Sequence, residues 1–137
     1  MVRLSLSQLT KMFGKDRCHE LGVRGRQKYG NRKCSWRGID FPSEHERDRY
    51  IVLWYDQRDG KIRNLRTQVR YELIPKKTEN GKLIERACAY IADFVYQDQQ
   101  GNTIVEDAKS EATRKNPTYI IKRKLMYEKY GIRIREV

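Results

Sequence analysis

Cysteine and histidine are scarce in this sequence. The three cysteines, Cys18, Cys34 and Cys88, are odd in number and form no CxxC pair. This pattern favours neither a disulfide framework nor a zinc finger, and the two histidines lie near cysteines only by chance spacing. Two histidines without an evident partner also argue against a ribonuclease that relies on histidine acid–base chemistry.

Long apolar runs, internal repeats and low-complexity tracts are absent as well. No stretch is predicted to span a membrane and none resembles a basic amphipathic helix, so no membrane partner is expected. The chain does not begin with a signal peptide, and we therefore expect a cytoplasmic protein in a reducing setting. With 137 residues, one domain with one modest core is expected over the whole chain.

Acidic residues are outnumbered: 30 Lys and Arg against 18 Asp and Glu give a net charge of +12. Such a surface attracts polyanions, and nucleic acid is the first candidate because the basic residues are interleaved with nine tyrosines and two tryptophans. The predicted contacts with DNA phosphates are Arg24, Arg26, Lys28, Arg32, Lys33, Arg37, Arg114, Lys115, Lys122, Arg123 and Lys124. A solvated loop before residue 38 and a solvated helix face after residue 121 would have the same composition.

Local patterns predict the elements of the first half of the chain. A short helix or arm is expected at residues 6–13, and a small hairpin at residues 33–41 around Arg37-Gly38. A helix should follow, with Ser43 as its N-cap and Asp59-Gly60 at its end. Alternation then predicts a strand from about Thr67 to Ile74, followed by a polar turn around Asn80-Gly81.

The second half is predicted to contain the centre of a sheet. Residues 87–96 are apolar on both faces except for one acid, which is typical of a central strand covered on both sides. Residues 103–109 should return beside it as a β-hairpin. A second helix is predicted from Asn116-Pro117 to Gly131, with Ile120, Ile121, Leu125 and Met126 facing inward, and residues 132–137 could form a last short strand.

The exceptional acid in the central strand is Asp93, and burying an unpaired charge there would cost on the order of several kcal/mol. Alternation places Asp107 and Lys109 on one face of the returning strand. If Val95 faces Val105, Asp93 lies opposite Asp107 at about 5 Å, where two carboxylates repel by roughly 3 kcal/mol. A magnesium ion between them would turn repulsion into attraction, and Lys109 could steady an attacked phosphate or help to deprotonate water.

Two further acids are candidate ligands. Glu46 is predicted on the buried side of its helix, one turn before Tyr50. As the glutamate of a capping box, three residues after Ser43, it would instead bond back to the Ser43 amide without any metal, and both interpretations stay open. Glu106 is the more plausible accessory ligand among the remaining acids.

These acids and the lysine, in this order, resemble the PD-(D/E)xK superfamily of restriction-endonuclease-like nucleases. The pattern has Glu46 on the first core helix, Asp93 on the second strand and Asp107-Ala108-Lys109 on the third. Ala92 stands where the motif name has proline, and Ala108 and Ser110 also depart from the common pattern without removing a ligand. The chain is similar to small phage and prophage proteins of that superfamily through Lys28 to Asn31, Ile39 to Phe41, Ser43 to Tyr50, Gln68 to Pro75, Tyr90 to Phe94 and Val105 to Ser110.

The resemblance implies an α/β fold with a restriction-endonuclease-like core, in which a central mixed β-sheet is flanked by helices. It implies a core at residues 28–137, with residues 1–27 as an N-terminal helix or basic arm. One or two Mg²⁺ or Mn²⁺ ions, a homodimer and no small-molecule cofactor are expected. The catalytic set would be Glu46, Asp93, Asp107 and Lys109, with Glu106 as a further metal ligand, while Gln68 or Lys124 would assist at the DNA.

Two functions from different classes follow. The first is a metal-dependent endonuclease, encoded by a phage or prophage, that cuts branched DNA such as a Holliday junction during recombination, replication or packaging. The second is a non-catalytic nucleic-acid-binding accessory protein, for which charge and aromatic content would suffice without a metal. The second function leaves Asp93 and Asp107 unexplained.

Overall fold

The structure is a computed structural model that describes residues 32–137. The predicted helix at residues 6–13 and the predicted contacts Arg24, Arg26 and Lys28 lie outside the described residues. The chain divides between Tyr55 and Asp56 into two compact units, which are described in turn.

The described part of the first unit begins with a hairpin. Strands β1 (Cys34–Trp36) and β2 (Ile39–Phe41) pair antiparallel around Arg37 and Gly38. Both turn residues have positive φ, 51° and 79°, as a two-residue turn that follows the twist of its strands requires. The predicted hairpin is therefore confirmed.

Helix α1 (Glu44–Arg58) follows, and its predicted start and end are confirmed. The Glu46 amide donates to Ser43 Oγ at 3.2 Å, which is the N-cap bond that the sequence predicts. Within the first unit, aromatic rings pack edge to face: the centroid of the Trp36 ring lies 5.9 Å from that of Tyr50 and 5.4 Å from that of Trp54. This ring cluster joins the hairpin to α1.

The second unit is built on a four-stranded sheet of order β3-β6-β7-β8. Its strands are β3 (Arg63–Ile74), β6 (Cys88–Gln97), β7 (Thr103–Asp107) and β8 (Arg135–Glu136). Neighbours are antiparallel except for β7 and β8, which are parallel, so the sheet is mixed. The predicted central position of β6 is confirmed, but its predicted cover on both faces is incomplete because Ile91 is 53% exposed.

Two helices flank this sheet. The short α2 (Glu111–Arg114) was not predicted, whereas α3 (Pro117–Tyr130) has the predicted N-cap, Asn116, and the predicted left-handed Gly131 at its end. Tyr119 and Met126 of α3 are buried in the core of this unit. Ile121, predicted to face inward, is 59% exposed, because the helix turns its Tyr119 and Met126 side to the sheet instead.

A second hairpin lies between β3 and β6, where the sequence predicted only a polar turn. Its strands are β4 (Lys77–Glu79) and β5 (Lys82–Glu85), and Asn80 and Gly81 turn with positive φ. Every residue from 74 to 87 is exposed. We call residues 76–86 the β4–β5 arm.

The protein thus has an α/β fold with a mixed β-sheet flanked by helices, as predicted. Among residues 32–137, none of the helices has the length and apolar character needed to cross a membrane.

Candidate functional site

The β6–β7 hairpin determines which acids face each other. Val95 pairs with Val105 and Phe94 with Glu106, which is the predicted register. The next positions along the two strands are Asp93 and Asp107, so these residues lie opposite each other where the pairing ends. The sequence predicted this register, whereas the separation of about 5 Å between the two carboxylates on one face stays a prediction.

The sheet is distorted at Asp93. Ala92 and Val95 both belong to the core, although strict alternation would put residues three apart on opposite faces. On the neighbouring strand β3, Gln68 has a φ of 52°. Thr67 and Val69 pair with β6, but Gln68 between them does not take part in the regular pairing. Distortions of this kind redirect a side chain and are frequent beside functional sites.

The Asp93 carboxylate bridges two neighbouring strands. Its Oδ2 accepts a hydrogen bond from the Ala108 backbone amide at 3.0 Å, and its Oδ1 accepts one from Gln68 Nε2 at 3.3 Å. The first bond brings the carboxylate of Asp93 to the residue that directly follows Asp107. The two acids therefore belong to one site.

Asp107 is almost fully buried, with 1% exposure. Its Oδ2 accepts a hydrogen bond from the Tyr90 hydroxyl at 2.5 Å. Its Oδ1 accepts no hydrogen bond from any residue that the structure describes, and its nearby charge is Lys109 Nζ at 3.2 Å. A buried carboxylate oxygen in this state carries a large desolvation cost, which a cation offsets.

Tyr90 donates its hydroxyl hydrogen to the Asp107 carboxylate. Burial raises the pKa of its phenol well above the ordinary value, and the negative charge of Asp107, its hydrogen bond to Asp107 and, more weakly, Asp93 raise it further. The hydroxyl therefore stays protonated and acts as a donor.

Lys109 is held from two sides. Its Nζ lies between the Asp107 carboxylate and the ring of Tyr119, whose centroid is 5.0 Å away. Its backbone amide donates to the Val137 carbonyl at 3.2 Å, which keeps the residue beside the edge of the sheet. The pKa of the Tyr119 phenol is raised, chiefly by burial and next by the hydrogen bond that the Tyr119 hydroxyl donates to Glu136.

Glu106 lies apart from this cluster. It is fully buried, accepts a hydrogen bond from the Tyr96 hydroxyl and lies 3.8 Å from Arg135 Nη1. Because neighbouring residues of a strand point to opposite faces, Glu106 and Asp107 face different sides of β7. This position does not support the predicted role of Glu106 as a metal ligand.

Glu46 belongs to the first unit, where it is half-buried in the first turn of α1. Its predicted part in the site stays a prediction. Among the described residues 32–137, no three His, Cys, Asp or Glu side chains are grouped so as to hold a metal ion. The acids that the second unit brings together are the pair Asp93 and Asp107.

The predicted DNA contacts are spread over several elements. Those on the described surface are Arg32, Lys33, Arg37, Gln68, Arg114, Lys115 and Lys124, whereas Lys122 and Arg123 are half-buried. The Arg37 guanidinium lies 4.3 Å from the centroid of the Trp54 ring. Gln68 contacts Asp93 directly, and Arg114 and Arg123 both pair with Glu136, so these three predicted residues lie at the site.

Comparison with protein families gives a match over residues 26–135, which is most of the chain. The chain belongs to the family described as Protein of unknown function (DUF1064). No curated protein and no solved structure matches it.

Three residues of the site in this DUF1064 chain were missed by the sequence analysis: Tyr90, Tyr119 and Glu136. Tyrosines are common in this sequence, so neither of the two stood out. The signal that could have revealed Tyr90 is the need of a buried Asp107 for a hydrogen-bond donor. Glu136 is an ordinary acid near the C-terminus, and only the pairing of β8 with β7 makes it a neighbour of Asp107.

Proposed function

We propose that this protein is a magnesium-dependent DNA endonuclease with a restriction-endonuclease-like core of the PD-(D/E)xK type. The observation that supports it best is the meeting of Asp93 and Asp107 at the end of a hairpin, with Lys109 beside them. The order of these residues along the chain and the mixed sheet beneath them agree with that superfamily. The net charge of +12 suits a polyanionic substrate.

The two acids have the chemistry of a magnesium site. Magnesium prefers hard oxygen ligands and is commonly bound by one or two carboxylates while it keeps several waters. The buried Asp107 Oδ1, which accepts no hydrogen bond within residues 32–137, is an oxygen that a cation would satisfy. Asp93 and Asp107 would hold the ion, and the ion would supply positive charge at the phosphate and activate water.

The remaining side chains act on the substrate or on the acids. Lys109 offsets the charge that develops on the attacked phosphate, because its ammonium group is already held at the site by Asp107 and Tyr119. Tyr90 keeps Asp107 in one orientation through its hydroxyl. Gln68 does the same for Asp93. Branched DNA as the substrate and a homodimer as the working form are proposed from the resemblance.

The test is a cleavage panel of four-way junction, flap, fork and linear duplex DNA in Mg²⁺ or Mn²⁺. The wild type should cut at least one of these substrates, and Asp107→Asn should lose at least about a hundredfold in rate because the side chain keeps its shape but not its charge. Lys109→Ala should be similarly impaired. Both variants should still bind DNA in a gel-shift assay.

Asp59→Asn is the matched control, since it makes the same chemical change at an exposed residue whose ion pair within residues 32–137 is with Arg58, 3.7 Å away. It should cut like the wild type. Cleavage by Asp107→Asn at the wild-type rate, with circular dichroism showing a folded protein, would contradict the proposal.

The second candidate, a nucleic-acid-binding protein without catalysis, is favoured by one feature. Lys109 already neutralises Asp107 at 3.2 Å, so this pair can exist without a metal. A purified protein that binds junctions but cuts none of the panel in either metal would establish this alternative.

A further inference from the structure

Glu136 on β8 gathers two arginines. Its Oε2 lies 3.3 Å from Arg114 Nε, and its Oε1 lies 3.5 Å from Arg123 Nη1. Oε1 also accepts a hydrogen bond from the Tyr119 hydroxyl at 2.9 Å. The Glu136 side chain is 20% exposed, whereas those of Arg114 and Arg123 are 43% and 41% exposed. One largely buried carboxylate thus holds two accessible guanidinium groups from different helices.

This arrangement adjoins the candidate active site. Glu136 pairs with Asp107 in the parallel register of β7 and β8, where neighbouring strands lie about 4.8 Å apart. Tyr119 provides a second link, because its hydroxyl bonds to Glu136 while its ring contacts the Lys109 ammonium group. The two arginines therefore stand next to the lysine that is proposed to contact the attacked phosphate.

The charges at this place are not balanced. Each guanidinium group has five N–H donors, and a single carboxylate can use only a few of them. Arginine forks match the oxygens of a phosphate, and charge-assisted bonds of this kind are stronger than neutral ones. Two arginines that share one acid, with about two fifths of each side chain exposed, have donors left for an anion from solution.

We propose that Arg114 and Arg123, held in place by Glu136, form a phosphate subsite that binds a neighbouring phosphate of the DNA strand being cut. This inference rests on the proposed endonuclease function and adds to it a second contact point on the substrate. Glu136 is a positioning residue in this arrangement, since it acts through the arginines and does not contact the DNA.

The experiment measures binding and cleavage of a fluorescein-labelled four-way DNA junction by the full chain. Arg114→Gln/Arg123→Gln is compared with the wild type and with Arg133→Gln. Arg133 is exposed and has no ion pair with any residue between 32 and 137 that the structure describes, so its replacement matches the loss of charge without touching the subsite. Binding is measured in EDTA over a range of KCl concentrations.

The slope of log K against log [KCl] is negative; the double variant should make it less steep by about 0.9, the value for one lost phosphate contact, and Arg133→Gln should leave it unchanged. In Mg²⁺, the KM of the double variant should rise by roughly tenfold, as expected for a lost charged hydrogen bond. Its kcat should stay near the wild-type value because the contact is present in both the ground state and the transition state.

Glu136→Gln distinguishes positioning from simple electrostatics. The substitution makes the surface more positive, so charge alone would tighten DNA binding. If Glu136 positions the arginines, binding weakens instead, and Glu136→Asp recovers part of it. A urea-unfolding curve for each variant checks that the fold is intact.

The outcomes separate this subsite from the endonuclease itself. If the wild type binds but does not cut, and the double variant has a less steep salt dependence, the subsite stands and the endonuclease proposal fails. If the wild type cuts and the double variant has the slope and KM of Arg133→Gln, the subsite is overturned. Tighter binding by Glu136→Gln would overturn the positioning role.

Discussion

At the scale of single residues, the contacts of Asp107 have the largest expected effect on both the stability and the proposed chemistry of the protein. The carboxylate is buried, and its described partners are a tyrosine hydroxyl on one oxygen and a lysine beside the other. Burying this carboxylate costs desolvation free energy, and only these few contacts offset it. Removing one of them should therefore destabilise the folded protein. The stability of the protein and its proposed chemistry therefore depend on the same side chains.

Tyr90→Phe tests this dependence. The substitution removes only the hydroxyl that donates to Asp107, and we expect the free energy of unfolding to fall by about 1–3 kcal/mol. Urea denaturation followed by circular dichroism measures it. Tyr71→Phe is the control: Tyr71 is half-buried against the same core, and its ring packs edge to face against Tyr130 with the ring centroids 5.3 Å apart.

The Tyr71 hydroxyl donates to none of the described residues, so its loss should change the free energy of unfolding by less than about 0.5 kcal/mol. Equal effects of the two substitutions would show that Asp107 does not need its tyrosine.

At this scale, the sequence predicts part of the geometry around Asp107 and Asp93, but not all of it. The spacing of Asp107 and Lys109 is a local property of the sequence, and the two side chains form the ion pair that it allows, although β7 ends at Asp107 and not at Lys109 as predicted. The positive φ of Gln68 and the distortion at Asp93 could not be predicted, because nothing in the local sequence requires them. They depend on the contact between two strands, in which Gln68 bonds to Asp93, a residue 25 positions later in the chain.

At the scale of elements, helix ends and tight turns followed the sequence closely. Ser43 and Asn116 cap the helices that they were predicted to begin, and Gly131 ends the second one. Such signals act over three or four residues and hold in almost any tertiary setting. The β4–β5 arm was missed because its strands are very short and lack the buried face on which alternation depends.

The arm should be dispensable for folding. Ile74 and Cys88 form the last pair of β3 and β6, so replacing residues 75–87 by Asn-Gly would close these strands with a two-residue turn. We expect the free energy of unfolding to change by less than about 1 kcal/mol, since every replaced residue is exposed and a shorter loop costs less entropy. Urea denaturation of the shortened chain is the measurement.

Two leucine substitutions give reference values for the change in the free energy of unfolding. Leu83→Ala in the arm should be nearly neutral, whereas Leu73→Ala in the core should cost about 2–5 kcal/mol. A shortened chain as unstable as Leu73→Ala would mean that the arm supports the fold.

At the scale of the whole molecule, several buried tyrosines link stability to pH. The pKa values of Tyr71, Tyr90 and Tyr119 are all raised, in each case chiefly by burial. In the unfolded chain these phenols ionise near their ordinary pKa of 10.0, while in the folded protein burial shifts their ionisation to higher pH. Raising the pH above that value therefore favours the unfolded state.

We expect stability to be unaffected by these groups below about pH 9 and to fall above pH 10. Each tyrosine that ionises only on unfolding removes up to about 1.4 kcal/mol per pH unit. Urea midpoints between pH 8 and pH 11 measure the effect. Tyr90→Phe should give a shallower decline than the wild type, and parallel curves for the two proteins would disprove the contribution of Tyr90.

By itself, the sequence determined the basic charge, the order of the elements, their caps and turns, and the register that sets Asp93 opposite Asp107. These features depend on composition and on patterns within a few residues. Only the tertiary structure decided that Tyr90 donates to Asp107, that Glu106 faces away, and that Glu136 joins two arginines beside Lys109. These contacts link residues far apart in the chain, and their geometry depends on how the strands and helices pack together.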